Sequence, residues 1–159
     1  MDFQRPSNIP SYADLCLKAL AAAGLGEKVS LGGAFGLLHY LDYRPTYDVD
    51  AWWVPTTTAQ ERQRVIDAIA EALASVGEVH SRAWGDLVSI ELLEGKRKTF
   101  SFQIAQRSAQ LRPSAPLNWA NSLLDSFDDL IASKMVALVE RGVARRATFA
   151  MSMLSVTRG

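Results

Sequence analysis

The sequence predicts a mixed α/β or α+β domain, a small mixed sheet flanked by helices and followed by a helical C-terminal part. Three observations carry that expectation. Strand-like and helix-like segments alternate over the first half of the chain. Three strand-like runs then follow one another, the last two joined by a Glu94-Gly95-Lys96 turn. Beyond Trp119 the pattern is helical.

Ser11 is placed to cap a helix through about Ala23, which Gly24 and Gly26 end. Val29 to Leu31 is a short strand leading into Gly32-Gly33, and Ala34 to Tyr40 reads as helix. Asp48 to Val54 alternates acid with Val and Trp and stops at Pro55, a strand pattern. Thr58-Ala-Gln-Glu61 has capping-box spacing. The helix it opens keeps the helical period through Val65, Ile66, Ile69, Ala70 and Leu73, and Gly77 ends it. Val79 to Ala83, Asp86 to Leu93 and Lys98 to Ala105 read as strands. Gln106 to Trp119, with Pro113 and Pro116, reads as an exposed crossing loop. Ser126 then caps a helix from Phe127 to Arg141, with Gly142 as its stop. The expected division is an α/β domain over 1–112 and a helical segment over 113–159.

A chain of 159 residues is long enough for one domain with a real core. With 17 basic and 17 acidic residues it has no overall basic field, so a polynucleotide substrate would need one local basic face. Cys16 is alone, which excludes a disulfide or a cysteine metal site within one chain. No apolar run reaches membrane-spanning length, and the first residues lack the apolar region of a signal peptide. A cytoplasmic protein without a membrane partner is expected.

The most informative feature is Gly32-Gly33, fourteen residues, then Asp48-Val49-Asp50. A glycine pair lets backbone N–H groups approach a phosphate, and the helix it opens favours anions at its N-terminus. Alternate residues of a strand share a face, so Asp48 and Asp50 point the same way. Two carboxylates on one edge suit a hard cation such as Mg²⁺. Alone, a Gly-Gly at such a junction is most often just a tight turn, and the two acids more often a solvated strand face. Jointly they point to phosphoryl chemistry on a nucleotide. Lys134 adds to this: Ile131, Lys134, Met135 and Leu138 fall on the stripe the last helix should bury, so the lysine either snorkels at its edge or meets an anion.

Gly-Gly, a helix, then Arg44-x-Thr46-x-Asp48-x-Asp50 resembles the first motif of the nucleotidyltransferase superfamily, and is most similar to its AbiEii/AbiGii-type toxin branch. Asp129 to Arg145, with Lys134 inside it, is similar to the helix that follows the sheet in that branch. The resemblance covers about Val29 to Arg145. It implies a nucleotidyltransferase-like sheet and transfer of a nucleoside monophosphate from a nucleoside triphosphate to an acceptor hydroxyl. It implies Asp48 and Asp50 as catalytic residues holding Mg²⁺, Gly32 and Gly33 cradling phosphate, and Lys134 on the triphosphate. Arg44 and Thr46 would order the loop entering the acid strand or touch the nucleotide, although an ion pair explains Arg44 equally well. RNA such as a tRNA end is the implied acceptor, and a cognate antitoxin the implied partner.

Two departures count against turnover. Many members carry a third carboxylate on a later strand, where Thr99 to Ala105 offers Gln103, an amide that cannot act as base and binds Mg²⁺ poorly. Glu91 on the neighbouring strand is a weaker substitute. After Arg145 the branch continues Arg-Asp-Phe-x-Asp, but this chain runs Arg146-Ala-Thr-Phe-Ala-Met. With permissive third bases, the same stretch read from each old third base spells Asp-Phe-Arg-Asp-Val-Tyr-Ala. A frameshift or sequencing error is therefore expected near Arg145, leaving 146–159 as an aberrant tail and the C-terminal part truncated. A simply diverged tail is the alternative. The aberrant tail would leave Met151, Met153 and Leu154 without an evolved place to pack, and together with Gln103 it points to a degenerate nucleotide binder. His39 and His80 lack metal spacing, Lys96-Arg97-Lys98 reads as a solvated turn, and no serine sits in a nucleophile elbow.

Overall fold

A computed structural model describes the backbone of residues 2–156 and the side chains of residues 2–142. The elements are helix α1 (Ser11–Ala22), strand β1 (Val29–Gly32), helix α2 (Gly33–Leu37), strand β2 (Val49–Trp53) and helix α3 (Ala59–Ala74). Strands β3 (Glu78–Trp84), β4 (Leu87–Glu94), β5 (Arg97–Ala105), β6 (Ala115–Leu117) and β7 (Ser122–Leu124) follow, and helix α4 (Phe127–Val156) closes the chain. The seven strands form one mixed sheet in the order β3-β4-β5-β2-β1-β7-β6. The α/β expectation therefore holds.

One face of that sheet is the core. Val29 and Leu31 on β1, Val49, Ala51 and Trp53 on β2, and Phe100, Phe102 and Ile104 on β5 are all buried there. They share one hydrophobic cluster with Cys16, Leu17 and Leu20 of α1 and Val65, Ile69 and Leu73 of α3. The capping box of α3 forms as its sequence demands: Glu61 N–H donates to Thr58 Oγ1 at 3.2 Å and Thr58 N–H to Glu61 Oε2 at 2.8 Å. At α1 the cap is Pro10 rather than Ser11, with no side-chain bond, because Pro10 already has the extended backbone that a helix entry needs.

Residues 115–124 depart from the helical expectation. β7 runs parallel to β1 and β6 antiparallel to β7, so residues 115–124 extend the sheet across the expected 112/113 division. Pro116 is tolerated because β6 is the edge strand. Gly142 does not stop α4, whose backbone continues to Val156. A single glycine inside a helix costs only about 1 kcal/mol, too little by itself to end it. The expected homelessness of Met151, Met153 and Leu154 concerns side chains outside the described residues. Among the described residues no helix is long and apolar enough to cross a membrane.

Candidate functional site

The opposite face of the sheet carries the candidate site residues. Antiparallel pairing sets Gly32 on β1 across from Asp50 on β2, and parallel pairing sets Gln103 on β5 across from Asp50 on its other side. Residues paired across strands share a face. Gly32, Asp50, Gln103 and Ser89 thus form one row, since Ser89 pairs with Gln103 in turn. Asp48 lies just before β2, where its Oδ1 accepts the Ser101 N–H at 3.0 Å. That bond uses one oxygen of Asp48 on the sheet.

The glycine pair explains how closely these parts meet. Gly33 has φ +57°, and a Cβ added there would lie 2.4 Å from Asp50 Oδ2. A Cβ on Gly32 would lie 2.9 Å from Trp52 Nε1 and 3.2 Å from Asp125 Oδ2. Helix α2 is only five residues long, so its dipole is weak. The glycines here admit carboxylates, and a phosphate could join them only with a cation between.

Asp50 has a raised pKa, first from surrounding protein, then from the charge of Asp48, with Lys134 pulling the other way. Its side chain is nevertheless exposed by area, so the crowding is that of a shelf wetted from one side. Two repelling carboxylates of this kind are a fit for Mg²⁺, which takes one or two protein carboxylates and completes its shell with phosphates and water. Among the described residues no group of three His, Cys, Asp or Glu side chains is arranged to hold a metal. Glu91 shares this face, paired across strands with Ser101, but its carboxylate is engaged by Arg82, whose Nε lies 3.5 Å away.

Lys134 reaches this edge because α4 is seated on α2. Leu130 is buried against Gly36, where an added Cβ would come 2.7 Å from Leu130 Cδ2. Lys134 lies one turn further along the same row and is half-buried. The expected buried stripe is corrected here: Met135 is 62% and Leu138 59% exposed, because the contact row of α4 runs through Leu130 and Lys134 instead. Ser126 caps α4 as expected, accepting the Asp129 N–H at 3.1 Å.

Thr46 orders the entry to β2, its hydroxyl donating to the Asp48 carbonyl at 3.1 Å. Arg44 makes no ion pair among the described residues and instead lies with its guanidinium 5.9 Å from the Tyr43 ring centre. His39 is a boundary residue: it stacks on Trp119, whose Nε1–H donates to its Nε2 at 3.3 Å, and burial lowers its pKa.

Sequence reading missed Asp125, Arg107 and Tyr43. Asp125 is 1% exposed, and its Oδ1 accepts from Ser30 at 2.6 Å and Arg107 at 2.5 Å. It braces β7 beneath the glycine turn, a role with no local signature. Two surface depressions of about 520 and 330 Å³, the first beside Trp119 and Lys18 and the second beside His39 and Asp42, lie away from the acid pair. The acid pair sits on an open shelf. No protein-family model matches this chain, and no curated protein does.

Proposed function

We propose that this chain is a nucleotidyltransferase-type domain that binds a nucleoside triphosphate with Mg²⁺ and transfers its nucleoside monophosphate to an acceptor hydroxyl. The observation that carries the reading is the close approach of the Asp50 carboxylate to Gly33, with Asp48 at the entry to the same strand. In the reaction an acceptor hydroxyl oxygen attacks the α-phosphorus, the bond to the leaving pyrophosphate breaks, and the hydroxyl proton goes to solvent or a nearby base.

Asp48 and Asp50 would hold the metal. When bound, Mg²⁺ supplies charge neutralisation at the phosphates and orients the attacking and leaving oxygens. Lys134 offsets negative charge on the departing phosphates from the far side of the shelf. Thr46 holds the backbone that presents Asp48. RNA as acceptor, a cognate antitoxin as partner and a cytoplasmic setting belong to the same reading through the resemblance to the AbiEii/AbiGii-type branch.

Gln103 supports a second reading, nucleotide binding without turnover. It is the direct neighbour of Asp50 in the row, where a third carboxylate would serve as ligand or base. Incubation with labelled nucleoside triphosphates and total RNA separates the two. Label carried into RNA by the wild type, and lost in Asp50→Ala, means transfer. Bound nucleotide with no labelled RNA means the second reading.

A further inference from the structure

Tyr43 lies near two cations that come from different parts of the chain. The Lys134 ammonium on α4 lies 5.6 Å from the centre of its ring, and the Arg44 guanidinium, on the loop before β2, lies 5.9 Å from it. Neither cation forms an ion pair among the described residues. Like charges drawn to one place repel, and a long side chain on a loop loses entropy when held. An aromatic ring answers both, since its electron-rich face and edge hydroxyl attract cations without cancelling their charge. The phenol responds in kind: the nearby Lys134 ammonium holds its pKa below the usual tyrosine value, with Arg44 adding to the effect.

We propose that Tyr43 is a positioning residue that holds Lys134 and Arg44 as a two-cation clamp for the polyphosphate tail of a nucleoside triphosphate. This rests on the nucleotide site proposed above. A carboxylate partner would hold the two cations as firmly, but it would neutralise them and compete with phosphate. Tyr43 leaves both charges available beside the acid pair. A clamp built from two separated cations also prefers a ligand with several phosphates over one with a single phosphate. The feature therefore selects triphosphates over monophosphates.

The test is titration of the full chain with ATP and with AMP in excess Mg²⁺, for the wild type, Tyr43→Ala and Tyr43→Phe. Tyr43→Ala is expected to weaken ATP binding roughly three- to thirtyfold, the range of a cation–π contact, while AMP binding changes less than about twofold. Tyr43→Phe, which keeps the ring and loses the hydroxyl, is expected to fall between. In a Lys134→Ala/Arg44→Ala background, Tyr43→Ala is expected to add nothing, because the residue acts through those cations. Thermal melts of the variants establish that each is folded. Equal losses for ATP and AMP, no loss for ATP, or a full further loss in the double-variant background would each overturn the clamp. If the wild type binds ATP and Asp48→Ala/Asp50→Ala abolishes it while Tyr43→Ala leaves it intact, the clamp alone falls. If the wild type binds no nucleotide, both inferences fall together.

Discussion

Gly33 and Asp50 occupy each other's space. The absent Cβ of Gly33 leaves room for the Asp50 carboxylate, and its positive φ is one that other residues adopt at a cost of about 1–2 kcal/mol. Gly33→Ala is therefore expected to destabilise the fold by at least that amount in chemical denaturation and to push Asp50 off the shelf. Asp50 itself shows the cost of crowding a carboxylate against protein, with the charge of Asp48 adding to it. Its folded pKa is raised, so protonation favours the native state. That stability is fully present below the unfolded carboxyl value near ~4 and lost as pH rises through the raised value. Asp50→Asn is expected to raise the melting temperature of the ligand-free protein at pH 7. The gain should vanish as pH falls below about 4, where the wild-type carboxyl is protonated. A melt in which Asp50→Asn is less stable at pH 7 would show that neither its crowding by protein nor Asp48 strains the ionised carboxylate.

At the scale of elements, α4 is the part that brings a cation to the shelf. Leu130 is its anchor, 2% exposed over Gly36. Leu130→Ala is expected to cost about 2–5 kcal/mol, as for other buried leucines, and to lower nucleotide affinity by loosening Lys134. Gly142 is exposed, and an added Cβ meets nothing within 4 Å. Gly142→Ala is accordingly expected to stabilise the helix by about 0.5–1 kcal/mol, read as a rise in denaturation midpoint. These elements differ in how legible they were. The long helix α3 announced itself through its cap and period, and β2, β4 and β5 through alternation. Strands β6 and β7 did not, because three residues hold no period and Pro116 argues for loop wherever the neighbouring strand is unseen. The burial of α4 was misread for a related reason. Its apolar residues ring the helix, and only the Gly36 contact selects the side that packs.

For the whole molecule, the sheet order decides what the acid pair faces. β2 lies between β1 and β5, which sets Gly32 on one side of Asp50 and Gln103 on the other. Gly32, Gly33, Asp48, Asp50 and Lys134 could be named from spacing because the first motif is local and Lys134 sits on a recognisable helix. Asp125 and Tyr43 could not, since their partners lie far away in sequence or gain meaning only from folding: Asp125 bonds Ser30, and Tyr43 meets Lys134. The core face and the chemical face are separate, so the shelf can be altered without opening the hydrophobic cluster. The most direct measurement is calorimetric titration of the full chain with ATP, with Mg²⁺ and with EDTA, for wild type and Asp48→Ala/Asp50→Ala. Saturable binding that needs Mg²⁺ and disappears in the double variant is the predicted result. Binding that is indifferent to Mg²⁺ or to loss of both carboxylates, or no binding at all, would contradict it.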